Sequence, residues 1–189
     1  MVPNENDVLA FDWGTTIIGI LDVERNVYMP NRFAEGMLDG AKRIATSVGT
    51  IVSFNGNGCD LIEIAKIVSI SSKEALSLRC QHDDMAEIIS AIRWPPDPGT
   101  TPIRGQNLLD TYRHYFINQK PRPPAHIDDV YELDNWADCY MTTELWKKWK
   151  RGEIGRCGVL IGIFRGFEKN SRPVVRCSHL HASAPAIPR

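Results

Sequence analysis

Residues 7–33 hold three short apolar runs in quick succession, and this spacing constrains the fold more than any other feature of the chain. The first run, residues 7–13, ends in Asp12-Trp13. Gly14-Thr15-Thr16 reads as a turn. The second run, 17–23, starts on the β-branched pair Ile17-Ile18, and the third, 26–33, follows after only two residues. Runs this short, broken this often by turn signals, predict a meander of antiparallel strands.

The pattern then changes period. Ala34, Met37, Leu38, Ala41, Ile44 and Ala45 recur at helical spacing and predict an amphipathic helix over 34–46, stopped by Gly49. Residues 50–54 read as a short buried strand and Asn55-Gly56-Asn57-Gly58 as a sharp turn. Leu61, Ile62, Ala65 and Val68 mark the next helix. Strand, Gly-rich turn and helix make an α/β unit. Further on, 76–80 is expected to form a fifth strand, 83–92 and 107–116 helices, and 94–102 and 118–125 Pro-rich loops. A long helix is expected over 130–151, closed by Gly152, and a last strand over 158–167. The element order predicts an α/β fold with a mixed five-stranded sheet: three antiparallel strands, then parallel α/β units, flanked by helices. This is the ribonuclease H-like order.

At 189 residues the chain is long enough for one domain with its own core. We place that domain at 1–167, with 168–189 as a basic, flexible tail. No apolar stretch approaches the roughly 20 residues of a membrane span, and the polar, acidic N-terminal stretch has no targeting character. A cytoplasmic protein with no membrane partner is expected. The five cysteines (59, 80, 139, 157 and 177) include no C-x-x-C pair and are expected to be reduced and mostly buried. Cys157, Cys177, His179 and His181 match no standard zinc spacing. The formal charge of −1 is uneven. Residues 1–149 carry 14 Lys and Arg against 21 Asp and Glu, a net of −7, and residues 150–189 carry 8 against 2, a net of +6. A basic end can meet phosphate or simply keep the chain in solution.

Three acids stand out by position. Asp12 ends the first strand, Asp60 follows the turn after the fourth, and Asp138 lies on the long helix. Asp138, Thr142, Leu145 and Trp149 share one face of that helix, and the last two are core-like. An acid on an inward face needs a partner or a cation, because an unpaired buried charge is costly. Converging carboxylates suit Mg²⁺ or Mn²⁺, which take oxygen ligands. Two such ions can activate water and stabilise the leaving oxygen of a phosphodiester. Singly, each acid has an ordinary explanation: Asp60 as a helix cap, Asp138 as an ion-pair partner, Asp12 as a turn former.

The blocks Phe11-Asp12-Trp13-Gly14-Thr15-Thr16, Val52-Ser53-Phe54-Asn55-Gly56-Asn57-Gly58-Cys59-Asp60-Leu61 and Asp138-Cys139-Tyr140-Met141-Thr142-Thr143-Glu144-Leu145 resemble, in order and spacing, the motifs of DnaQ-like 3′–5′ exonucleases. These belong to the ribonuclease H-like superfamily, and the closer likeness is to its YprB-like branch. The likeness covers roughly residues 7–152. It implies a 3′–5′ exonuclease acting on single-stranded DNA or RNA ends through two Mg²⁺ or Mn²⁺ ions. Asp12, Asp60 and Asp138 would be the catalytic metal ligands, and Asn55, Thr142 and Asp84 the supporting residues. Thr15, Thr16, Lys147 and Lys148 are the candidate substrate contacts, although a basic helix end also complements the helix dipole. His82 is expected at the surface. Two departures matter. The family's glutamate two residues after the first Asp is Gly14 here, and no Tyr or His stands four or five residues before Asp138. A protein that keeps the fold but binds nucleic acid or a partner without cutting is therefore the alternative. Asp12-Trp13-Gly14-Thr15-Thr16 also resembles the first phosphate loop of actin-like sugar kinases and ATPases, but the second loop and second domain of those proteins have no counterpart.

Overall fold

The computed structural model describes residues 7–93, 107–117 and 119–154. Strands β1 (Val8–Trp13), β2 (Ile17–Asp22) and β3 (Val27–Arg32) form the antiparallel meander. Helix α1 (Phe33–Ala45) leads to β4 (Thr50–Ser53), which pairs parallel to β1, and α2 (Asp60–Val68) follows. Next come α3 (Ser72–Cys80), β5 (His82–Asp84) parallel to β4, α4 (Met85–Arg93), α5 (Leu108–Tyr115) and α6 (Val130–Lys150). Among the described residues the chain thus builds one mixed five-stranded sheet of order β3-β2-β1-β4-β5.

Strand alternation assigns the two faces. Leu9, Phe11, Ile18, Ile20 and Ile51 pack with Ala41 and Ile44 of α1 and Leu61 and Ile64 of α2. Val8, Ala10, Leu21 and Val52 pack on the other face with Met85, Ile88, Tyr112, Cys139 and Leu145. Asp12 lies two residues beyond Ala10 and so continues the α6 face at the end of β1. The long helix is enclosed over most of its girth, with Asn135, Trp136, Cys139, Met141, Thr142, Thr143 and Leu145 all buried. The Asp129 carboxylate accepts from the Glu132 N–H at its start, and Gly152, at φ 68°, closes its end. β3 is the outer strand beside β2 and contains Pro30, opposite Gly19.

Four expectations need correction. Residues 76–80 are not a strand but the second half of α3. A capping box, Ser71 with Glu74, starts that helix, and its S-x-x-E signal was present in the sequence. The fifth strand is the polar triplet His82-Asp83-Asp84, fully buried, so the following helix begins at Met85 rather than at residue 83. His82 is therefore interior, not at the surface. Of the described cysteines only Cys139 is buried; Cys59 is exposed and Cys80 half-buried, and all three are reduced. The loop at 94–102, the strand at 158–167, the tail at 168–189 and Cys157, Cys177, His179 and His181 lie outside the described residues. No helix among the described residues is long and apolar enough to cross a membrane.

Candidate active site

Asp12 is fixed from across the sheet. Its register partner on β2 is Gly19. A Cβ at Gly19 would stand 1.8 Å from Oδ1 of Asn135, so glycine is what lets this α6 side chain descend onto the strands. Once there, Asn135 Nδ2 donates to Asp12 Oδ2 at 2.6 Å and to the Asp12 carbonyl at 3.1 Å. Its own Oδ1 accepts from the Tyr28 hydroxyl at 2.8 Å. The Cys139 thiol, one turn further along α6, donates to the Gly19 carbonyl at 3.5 Å. Gly19→Ala is expected to expel Asn135 from this seat and cost about 1–3 kcal/mol. Thermal unfolding checks it, and an unchanged melting temperature would contradict the packing.

Asp60 is delivered by the turn after β4. Asn55 adopts φ 66°, a left-handed conformation that asparagine tolerates. The buried Asp84 carboxylate accepts from the Asn55 and Asn57 N–H groups at 2.8 and 2.9 Å, and from the Ala86 N–H of α4 at 3.0 Å. Asp84 is thus a clamp, its oxygens committed to backbone donors. His82 completes the brace: Ser53 Oγ lies 2.8 Å from Nε2 and Asn57 Oδ1 3.0 Å from Nδ1. Ser53 is sealed under Gly56, where a Cβ would come within 2.0 Å of its hydroxyl, so this Ser-His-Asn chain is structural rather than nucleophilic. Asp83 is also committed, to the Trp146 indole N–H at 2.9 Å and the Lys150 ammonium at 3.2 Å.

Asp138 projects from α6 one turn after Asp134 and Asn135, with Thr142 buried one turn beyond. The three acids share one electrostatic neighbourhood. Burial first, then the charges of Asp138 and Asp60, push Asp12 up to about 7. Burial and the charge of Asp84 raise Asp60 to about 7, and burial and Asp134 raise Asp138 to about 6. Burial pushes His82 the other way, down to about 4, so it is neutral at physiological pH.

The remaining candidates are placed differently. Thr15 and Thr16 are exposed on the β1–β2 turn, beside the end of β1 that carries Asp12. Lys147 pairs with Glu144 and Lys148 with Glu153, both at 3.1 Å. They stand nine and ten residues past Asp138, about 14 Å along the helix at 1.5 Å per residue. The structure therefore brings Asp12, Asp60 and Asp138 to one end of the sheet and leaves these lysines apart. Sequence reasoning missed Asn135, Tyr28 and Gly19; their meeting joins three elements and leaves no local signal. Three carboxylates are hard oxygen donors of the kind Mg²⁺ and Mn²⁺ take. They are not a finished cage: among the described residues no group of three or more His, Cys, Asp or Glu side chains is arranged to hold a metal ion. No protein-family model, no curated protein and no solved structure matches the chain.

Proposed function

We propose that this protein is a ribonuclease H-like, DnaQ-like hydrolase that removes nucleotides from the 3′ end of DNA or RNA with the help of Mg²⁺ or Mn²⁺. One observation carries the reading: Asp12, Asp60 and Asp138 come from three separate elements to the carboxyl end of the parallel pair β1 and β4, and each is driven toward neutrality there. Open α/β sheets bind ligands at this end. A fold does not gather three partly buried acids without a cation to offset them unless some other use is served. The strand order β3-β2-β1-β4-β5, with only β2 running against the rest of the central sheet, also supports the resemblance.

Asp12, Asp60 and Asp138 would hold the cation. When bound, the cation supplies a lowered pKa for water and a counter-charge for a phosphate oxygen. The chain's own groups do the positioning. Asn135 orients Asp12, the Asp84 clamp and the His82 brace fix the turn that delivers Asp60, and the buried flank of α6 sets Asp138. The Thr15 and Thr16 hydroxyls, exposed on the turn after β1, would be the contacts for a sugar-phosphate backbone.

Gly14 and the absence of a finished cage among the described residues favour a second reading, a nucleic-acid-binding or partner-binding protein without hydrolysis. End-labelled single-stranded DNA and RNA separate the two. Stepwise shortening from the 3′ end with Mg²⁺ or Mn²⁺, abolished by EDTA, is expected. It should strengthen from pH 6 to pH 8 as the acids ionise. A folded protein that retains these strands without shortening them in either metal would leave the binding reading in its place.

A further inference from the structure

We propose that Phe33 and Tyr131 are base-stacking residues, which take the faces of nucleobases in a single strand lying across the end of the sheet that carries Asp12. This rests on the nucleic-acid reading above, holds whether or not the strand is cut, and needs no bound ion. Neither ring is used by the core: Phe33 is 79% exposed and Tyr131 68%. Phe33 is also held against its own backbone preference. Its φ is 61°, in the left-handed region that a bulky side chain avoids. Strain of this kind collects where a side chain has a ligand to meet.

The register places both rings beside the acids. Asp12 pairs with Gly19, Gly19 with Pro30 and Ile17 with Arg32. Phe33 thus follows β3 three residues past the row that holds Asp12, toward the end of β1, and two strand spacings, about 10 Å, to its side. Tyr131 precedes Asp138 by seven residues, two helical turns, so it continues the Asp138 stripe of α6 about 10 Å toward the helix start. Arg32 joins the two mounts. Its guanidinium pairs with Asp129 at 3.1 Å and with Glu132 at 3.7 Å, on either side of Tyr131, and lies 5.9 Å from the centre of the Phe33 ring. The same pairing decides what this corner can recognise. Arg32 is already shared between two carboxylates and has little to offer a phosphate. An aromatic face needs no charge to hold a base and accepts any of them. The apolar face of the base is therefore the part of a nucleotide that suits exposed rings set among acids.

Fluorescence anisotropy of a labelled single-stranded oligothymidylate, in EDTA so that nothing is cut, tests this against an abasic strand of the same length. The full-length wild type is expected to bind the oligothymidylate about tenfold more tightly than the abasic strand, or better. Phe33→Ala and Tyr131→Ala are each expected to weaken oligothymidylate binding about tenfold and to leave the abasic affinity unchanged. Tyr131→Phe, which keeps the ring, is expected to bind as the wild type does. Phe33→Gly separates the ring from the fold. Glycine tolerates a φ of 61°, so this variant should melt above Phe33→Ala and yet bind the oligothymidylate as weakly. Folded alanine variants that hold the oligothymidylate as tightly as the wild type overturn the proposal. So does a wild type that binds both strands equally. A wild type that binds neither strand removes the nucleic-acid reading itself and gives this corner to a protein partner instead.

Discussion

Replacing Asp12 with asparagine is expected to raise the melting temperature of the cation-free protein at pH 8 and to remove cation-dependent cleavage. The side chain is driven up to about 7 by burial and by Asp138 and Asp60. An acid whose folded value lies above its unfolded value of 3.8 opposes folding in full above pH 7. That penalty fades as the pH falls through 7 and is gone below 3.8. Asparagine escapes it at every pH and can still accept from Asn135. Solvent access and relaxation reduce the gain to about 1–2 kcal/mol, or about 2–8 °C in a chain of this size. Cleavage should fall by about 1,000-fold or more, the scale of removing a charge-stabilising group from a reacting centre.

The same acids predict that the wild type grows more stable on acidification from pH 8 to pH 6 in EDTA. Asp12, Asp60 and Asp138 take up protons in this range that the unfolded chain does not. Below pH 6.5 His82 works against them, because its folded value is lowered and stability is lost as the unfolded chain binds the proton first. Scanning calorimetry of both proteins across this range decides the matter. An Asp12→Asn variant that melts lower at pH 8, or a wild type indifferent to pH between 8 and 6, would mean that burial does not hold these carboxyls above their ordinary range.

Gly14→Glu is expected to leave the fold intact and increase cleavage about tenfold or more. The backbone at Gly14 is outside the left-handed region, where a side chain would be strained. A Cβ there meets Ile17 Cγ2 at 3.1 Å and the Ile17 carbonyl at 3.4 Å, so the isoleucine methyl must yield by a few tenths of an ångström. The Asn135 amide, 3.7 Å away, is at ordinary contact distance. The stability cost should stay below about 1 kcal/mol. Two residues past Asp12 on the same face of the strand, the new carboxylate would add an oxygen donor beside the acid cluster, so Mn²⁺ should bind more tightly. A well-folded variant that binds no Mn²⁺ and cuts neither DNA nor RNA would place the binding reading ahead.

The meander was legible because turn signals break its short apolar runs, the first two helices because their apolar residues recur at helical spacing, and the end of the long helix because Gly152 closes it. Asp12 and Asp60 were legible because they sit at a strand end and a helix start, and Asp138 because it shares a helix face with core-like residues. β5 was not: His82, Asp83 and Asp84 are polar, and their burial is licensed by Ser53, Asn57, Trp146 and the Asn55 turn, none of them local to the triplet. Asn135 was hidden for the same reason. Its importance depends on a missing side chain at Gly19, 116 residues earlier, and a periodicity argument sees only residues that are present. The capping box at Ser71 was readable, and giving it weight would have turned the expected strand at 76–80 into a helix.

Pro30 on β3 has a consequence for the molecule's behaviour among its own copies. An outer strand ordinarily exposes a ladder of amide donors and carbonyl acceptors that another chain can zip onto. Proline has no amide hydrogen, so the ladder along Val27–Arg32 is interrupted near its middle. The edge of the meander is thereby poorly suited to edge-to-edge self-association, even with the protein concentrated.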